Sequence, residues 1–309
     1  NRPLIDSSGN VYINYREALV SCCCPTYYFF YMTKLDSSGT FQLGRSFDGG
    51  GGQYIVGYGG VGLDSSANIY NVFSGIAYPY GSIIIYKTSS AGTALATSYV
   101  TRANTQGGSR SGGYFAGGYV FDTTNSVGYV SGSGAGGLIY KHNTSLGHVW
   151  AYTYSNTTAF QGIALDSSGN MYVVGYTSGI SGTTRIMKVD SSGTVQWART
   201  LSASGGYYVE YQYYPAQISV VGTKFVICVG LTNGSDRIAF TFQAPTDGSG
   251  TGTFTNAGQT WTYASFATTA TANDTNVSGA GGQGSITATT TSRTPTIATS
   301  LWATSTTSF

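Results

Sequence analysis

One phrase occurs four times in this chain, and it limits the possible folds more than any other feature. Asp6-Ser7-Ser8-Gly9-Asn10-Val11-Tyr12-Ile13 returns as Asp64-Ser65-Ser66-Ala67-Asn68-Ile69-Tyr70 and as Asp166-Ser167-Ser168-Gly169-Asn170-Met171-Tyr172-Val173. A worn copy runs from Asp122 to Val130. A second phrase interleaves with the first: Lys34-Leu35-Asp36-Ser37-Ser38-Gly39-Thr40 returns as Lys188-Val189-Asp190-Ser191-Ser192-Gly193-Thr194, and Lys87 and Lys141 open degenerate copies. Repetition at this period marks a stacked or radial array of one supersecondary unit.

The fourth copy shows what that unit is. Residues 162–165, 170–176, 185–189 and 194–201 are four short runs rich in β-formers. Asp-Ser-Ser-Gly separates the first from the second and the third from the fourth. Asp folds back on the following amides and Gly supplies positive φ, so each phrase closes a hairpin. Four strands with regular turn signals predict an antiparallel sheet per unit, and radial packing of such sheets gives a β-propeller. The expected fold is all-β, with five four-stranded antiparallel blades over residues 1–256. The units are 4–47, 61–100, 118–154, 162–201 and 218–254. In the divergent fifth, Arg237-Ile238-Ala239-Phe240 aligns with Arg185-Ile186-Met187-Lys188, which puts Phe240 in the place of the lysine. Residue 1 is Asn, so the array can belong to a longer one.

Residues 257–309 are a different material, rich in Thr, Ser, Ala and Gly, with scattered Trp261, Tyr263, Phe266, Ile286 and Trp302. Such a thread gains by burying its apolar side chains. The expectation is an extended segment that pairs with neighbouring subunits, giving a homo-oligomer.

Composition excludes several functions. A formal charge of +2 with no basic run argues against nucleic-acid binding. The most apolar stretch, residues 18–32, is too short to span a membrane and contains Pro25. Nothing at the N-terminus resembles a signal peptide. Cys22, Cys23 and Cys24 are consecutive and Cys228 is alone, so neither a zinc pattern nor a disulfide framework is present. No metal and no cofactor is expected.

The 12 carboxylates can be audited one by one. Asp6, Asp36, Asp64, Asp122, Asp166, Asp190 and Asp247 occupy repeat turns. Glu17, Asp48, Glu210, Asp236 and Asp274 remain. Glu17 and Glu210 are the one pair that a ring could bring together for acid/base work. The glycine runs lack the lysine of a phosphate loop. Catalytic residues are therefore not expected, and the chain reads as non-enzymatic.

Binding belongs on the more variable rim, because recognition sits on diverse loops carried by a rigid scaffold. That rim collects Tyr27, Tyr78, Tyr80, Tyr207, Tyr208, Tyr213, Tyr214 and Arg237. Tyrosine offers large contact area and a hydroxyl at low entropic cost, which suits a glycan or protein surface. The alternative is that these rings pack between blades. Asn143, Asn156, Asn233, Asn273 and Asn276 lie in Asn-x-Ser/Thr sequons, which a bacterial or phage product leaves unmodified.

The paired phrases resemble propeller-repeat proteins found among bacterial secreted and surface proteins, and tail-associated or fibre proteins of environmental phages. Pro245-Thr246-Asp247-Gly248 before a Thr-rich tract is similar to the ends of the phage proteins. The resemblance implies a virion tail or fibre component that contacts the host surface, with other virion or surface-assembly proteins and further copies of itself as partners. The alternative it leaves is a bacterial secreted or cell-surface lectin-like adhesin or filament subunit. Its location would be the virion or the extracellular face. It carries no shared catalytic residues.

Overall fold

The computed structural model describes residues 3–19, 27–47, 53–77, 80–102, 115–134, 136–177, 183–204, 207–209, 216–256, 259–272 and 275–279. They form 24 strands, and no helix occurs among the described residues. Blade 1 holds β1 (Leu4–Ile5), β2 (Val11–Leu19), β3 (Tyr27–Leu35) and β4 (Phe41–Phe47). Blade 2 holds β5 (Gln53–Leu63), β6 (Ile69–Ala77), β7 (Tyr80–Thr88) and β8 (Ala94–Arg102). Blade 3 holds β9 (Phe115–Asp122), β10 (Val127–Ser133), β11 (Gly137–Asn143) and β12 (His148–Tyr154). Blade 4 holds β13 (Ala159–Leu165), β14 (Met171–Tyr176), β15 (Thr184–Val189) and β16 (Val195–Ala203). Blade 5 holds β17 (Tyr208–Val209), β18 (Gln217–Val221), β19 (Lys224–Thr232) and β20 (Arg237–Pro245). The chain is a five-bladed, all-β propeller of antiparallel sheets.

The expected hairpins form by the expected chemistry. Asp166 Oδ1 accepts from the amides of Ser168 and Asn170, and Gly169 stands at φ 77°. The same bonds recur at Asp6, Asp36, Asp64 and Asp190. Central strands are buried on both faces, so β14 reads Met-Tyr-Val-Val-Gly-Tyr without alternation.

Four aromatic-rich cores lie between successive blades, from 1/2 to 4/5. No comparable core joins blade 5 to blade 1 among the described residues. The inner strands approach so closely that glycine is required. A Cβ on Gly117 would stand 2.1 Å from the Phe160 carbonyl oxygen, and one on Gly162 would stand 2.8 Å from that of Ala216. Side chains stitch the same seams. Ser74 Oγ donates to Ala116 O, and the Ala216 amide donates to Gln161 Oε1.

The fifth unit departs from expectation in two ways. Its sheet is built from β17 and β18 lying end to end on β19, with β20 on the other side. The strand expected to complete it, β21 (Gly252–Asn256), pairs instead with β22 (Gln259–Ser265), which lies on the outer edge of β16. The register also moves the lysine position. The outer turn of blade 5 opens at Pro245 as that of blade 4 opens at Asp190, so Gln243, paired with Val226, takes the place of the lysine, and Phe240 is turned into the blade 4/5 core instead.

The tail finds partners within its own chain. After β22 on blade 4, β23 (Ala270–Ala272) pairs with β12 of blade 3 and β24 (Thr275–Gly279) with β8 of blade 2. The division placed at 256/257 falls inside the β21–β22 hairpin. Trp261 and Tyr263 are buried within the chain, whereas Ala270–Ala272 are exposed. Trp261 stacks on Phe240 with ring centres 3.9 Å apart, Tyr263 packs on Phe242, and Phe266 lies 4.3 Å from the Arg185 guanidinium. Residues 280–309 lie outside the described residues.

Candidate functional site

Strand direction gives the propeller two different rims. One carries the Asp turns, and the tyrosines of blades 1, 2 and 4 are already engaged there. In blades 1, 2 and 4 a tyrosine on the second strand donates to the turn carboxylate: Tyr12 to Asp6, Tyr70 to Asp64 and Tyr172 to Asp166, at 3.1, 3.0 and 3.3 Å. A lysine from the third strand lies over each ring, Lys34, Lys87 and Lys188 respectively. In blade 3 Lys141 lies over Tyr129. This explains why the second repeated phrase opens with lysine. Burial raises the Tyr12 phenol, and the Asp6 hydrogen bond adds to it, to about 12. The ring therefore remains a donor.

Each blade also clamps the outer turn of the next. Lys87 and Tyr70 donate to Thr144 O, Lys141 and Trp150 to Ser191 O, and Tyr172 and Trp197 to Thr246 O. Arg45 reaches Gly92 O as Arg199 reaches Gly248 O, both at 2.9 Å. Thr144, Ser191 and Thr246 are the second residues of their turns, so the latch repeats with the sequence.

A central channel of about 1050 Å³ runs between the inner strands. Leu4, Val61, Tyr119, Ile163 and Gln217 represent the five blades in its wall. Two of its polar side chains are engaged. The Tyr119 hydroxyl meets His142 Nε2 at 3.2 Å, and Gln161 holds Ala216. His142 Nδ1 lies 2.8 Å from the Asn143 carbonyl, which can only accept, so Nδ1 carries the proton. The channel was not foreseen, although glycines four residues before Asp64, Asp122 and Asp166 were its visible sign.

Four of the residues selected from the sequence begin strands at the opposite rim. Tyr27, Tyr80, Tyr208 and Arg237 are the first residues of β3, β7, β17 and β20. Tyr208 and Arg237 both pair with Thr232 of β19, one from each side, and Arg237 is exposed. Tyr207 packs against the blade 4/5 core. Tyr78, Tyr213 and Tyr214 lie outside the described residues, as do Glu210 and Cys22 to Cys24. Glu17 lies in β2. Cys228 is a free, exposed thiol on β19. Among the described residues no group of three His, Cys, Asp or Glu side chains is placed to hold a metal. Of the sequons, Asn143 caps its own turn and Asn156 Nδ2 donates to Ala267 O.

These features define a five-bladed β-propeller built from a repeated four-stranded unit. The family described as beta-propeller repeat matches residues 146–180, which run from the end of blade 3 into blade 4. No curated protein matches the chain. Among solved structures, the crystal structure of a protein of unknown function from Bacteroides caccae is similar, with a TM-score of 0.40 and 10% identity. The match covers 74% of this chain and 76% of that one.

Proposed function

We propose that this chain is a non-enzymatic binding and structural protein of the extracellular side, a phage virion tail or fibre component. It contacts a host-surface glycan through the rim that carries Tyr27, Tyr80, Tyr208 and Arg237. The division of labour between the rims carries this reading. On the Asp rim the tyrosines, lysines and carboxylates are used to hold turns and latch blades. On the opposite rim Arg237 is exposed beside the Tyr208 strand, across Thr232. Tyrosine and arginine supply the stacking surface and the charged donor that sugar recognition uses.

The test is binding of the purified chain to an array of bacterial surface glycans. Wild type should bind, and Tyr208→Ala with Arg237→Ala should lose about tenfold or more at unchanged melting temperature. Unaltered binding by that double variant would remove the rim from the reading. Immunogold labelling then separates the settings. Label on virions supports the tail component, whereas label only on the bacterial envelope supports a lectin-like adhesin. Robust glycan cleavage that is lost in Glu17→Gln with Glu210→Gln would overturn the non-enzymatic assignment. Association with further copies is read by sedimentation equilibrium.

A further inference from the structure

The tail covers the outer edges of blades 2, 3 and 4 but not that of blade 5. β24 lies on β8, β23 on β12 and β22 on β16. Blade 5 ends at β20, because the strand expected outside it, β21, pairs with β22. None of the described residues pairs with the outer side of β20.

The hydrogen bonds at the two ends of the β19–β20 hairpin fix what that edge offers. The Asn233 amide donates to Asp236 O, and the Thr246 amide donates to Thr223 O. Bonded and non-bonded pairs alternate along an antiparallel ladder. Both end bonds set the same alternation, so Phe225 is bonded to Ala244, Ile227 to Phe242, Val229 to Phe240 and Leu231 to Ile238. Ala239, Thr241 and Gln243 therefore turn their N–H and C=O groups outward, and all three residues are exposed. Pro245 has the same parity, so its missing N–H costs the sheet no bond, and it ends the open ladder.

Native edges are usually blunted by charge, proline or a bulge. Between Arg237 and Pro245 this one has neither charge nor proline, and its register with β19 runs without a shift. The edge is also self-complementary. A two-fold axis through Thr241 sets Thr241 opposite Thr241, and Ala239 opposite Gln243, in hydrogen-bonded pairs. Phe240 then meets Phe242 in the closer, non-bonded pairs. Arg237 of each copy falls opposite Pro245 of the other, by the turn that holds the exposed Asp247. The two Arg237 residues stand about 27 Å apart along the strands, so like charges do not meet.

We propose that β20 is a dimer edge: two copies of this chain pair antiparallel through residues 239–243 and join their fifth blades into one continuous sheet. The occupant of the edge is a second copy. This reading does not rest on the ligand assigned above.

Sedimentation equilibrium and amide exchange on the full chain test it. The wild type should dimerise as concentration rises, and the amides of Ala239, Thr241 and Gln243 should exchange about tenfold or more slowly in the dimer than after dilution. Thr241→Pro removes an amide that β19 does not use, and Thr241→Lys sets like charges face to face. Each should weaken the dimer about tenfold or more and leave the melting temperature of the dilute protein unchanged. A wild type that stays monomeric at every concentration would overturn the proposal, as would a dimer that Thr241→Lys leaves intact. Protection of the three amides that does not change with concentration would overturn it too, since the chain would then cover its own edge.

Discussion

Lys188 Nζ lies 3.4 Å from the Asp166 carboxylate and 5.1 Å from the centre of the Tyr172 ring, whose hydroxyl reaches the same carboxylate. Three successive strands are thereby tied at one turn. Among the described residues, only blades 2 and 4 bring the lysine to ion-pair distance, through Lys87–Asp64 and Lys188–Asp166. Both side chains of the second pair are mostly shielded, at 18% and 16% exposure. Burial alone would lower the Lys188 pKa, yet the contacts with Tyr172 and Asp166 outweigh it and raise it.

A double-mutant cycle on Lys188→Met and Asp166→Asn should therefore show coupling of about 1 kcal/mol. Urea unfolding measures it. Coupling within error of zero would mean that the pair contributes geometry alone.

Acid should destabilise the protein in two windows. Burial lowers the His142 pKa to about 4, below the unfolded value near 6.5. The unfolded chain then binds more protons, so stability is present above about pH 6.5 and falls as pH drops toward 4. The turn carboxylates act lower down. Burial raises the pKa of Asp166, but hydrogen bonds from Asn170 and Ser168 and the charge of Lys188 outweigh it, so the net shift is downward. Burial likewise raises Asp6 and Asp64, and there hydrogen bonds, chiefly from Asn10 and Asn68, outweigh it and lower both. Their contribution is present above about pH 4 and is lost below it. Melting temperature against pH should lose its upper slope in His142→Gln and keep most of it in His148→Gln. An unchanged profile in His142→Gln would assign that slope to another group.

Gly117→Ala should cost about 1–3 kcal/mol or more, because the added methyl has no space beside Phe160 O. Chemical denaturation reads the loss. A neutral result would mean that the inner strands can move apart, and the seam between blades 3 and 4 would be looser than described.

Ala67→Gly should do the opposite. Ala67 sits at φ 58°, where the other copies of this turn place Gly9 and Gly169 at 77°. Relief of the left-handed strain is expected to stabilise by about 0.5–1 kcal/mol, visible as a rise in melting temperature. A fall would show that the methyl makes a contact of its own.

Trp261→Ala should cost about 3–5 kcal/mol, since the ring is 3% exposed and stacked on Phe240. Deleting residues 257–309 should accordingly impair folding rather than release an intact monomer. A truncated chain with wild-type melting would return the tail to a role outside the propeller.

The sequence by itself determined every feature that closes over a few residues. An Asp carboxylate bonds to amides two and four positions on, and a glycine takes the left-handed turn, so the hairpins and four-strand units were legible wherever those residues stand. The lysine that opens the second phrase was visible as a pattern, but its meaning was not, because Lys188 meets Asp166 and Tyr172 only after two turns of chain. The rim shared by Tyr27, Tyr80, Tyr208 and Arg237 followed from strand count alone.

Tertiary structure decided which open edge each remaining strand would join. Thr, Ser and Ala tracts carry no register signal of their own, and backbone donors pair with any exposed edge within reach. Residues 252–265 could as well have finished blade 5 or left the molecule. They lie on the edge of blade 4 because from there Trp261 and Tyr263 reach Phe240 and Phe242 of blade 5. The fifth blade's register moved for a related reason. Its first turn is shorter, with Val221 pairing directly with Lys224, and Val226 and Gln243 stand where a tyrosine and a lysine stand in the other blades. Contacts between residues far apart in the chain depend on the assembled ring, and no local phrase encodes them.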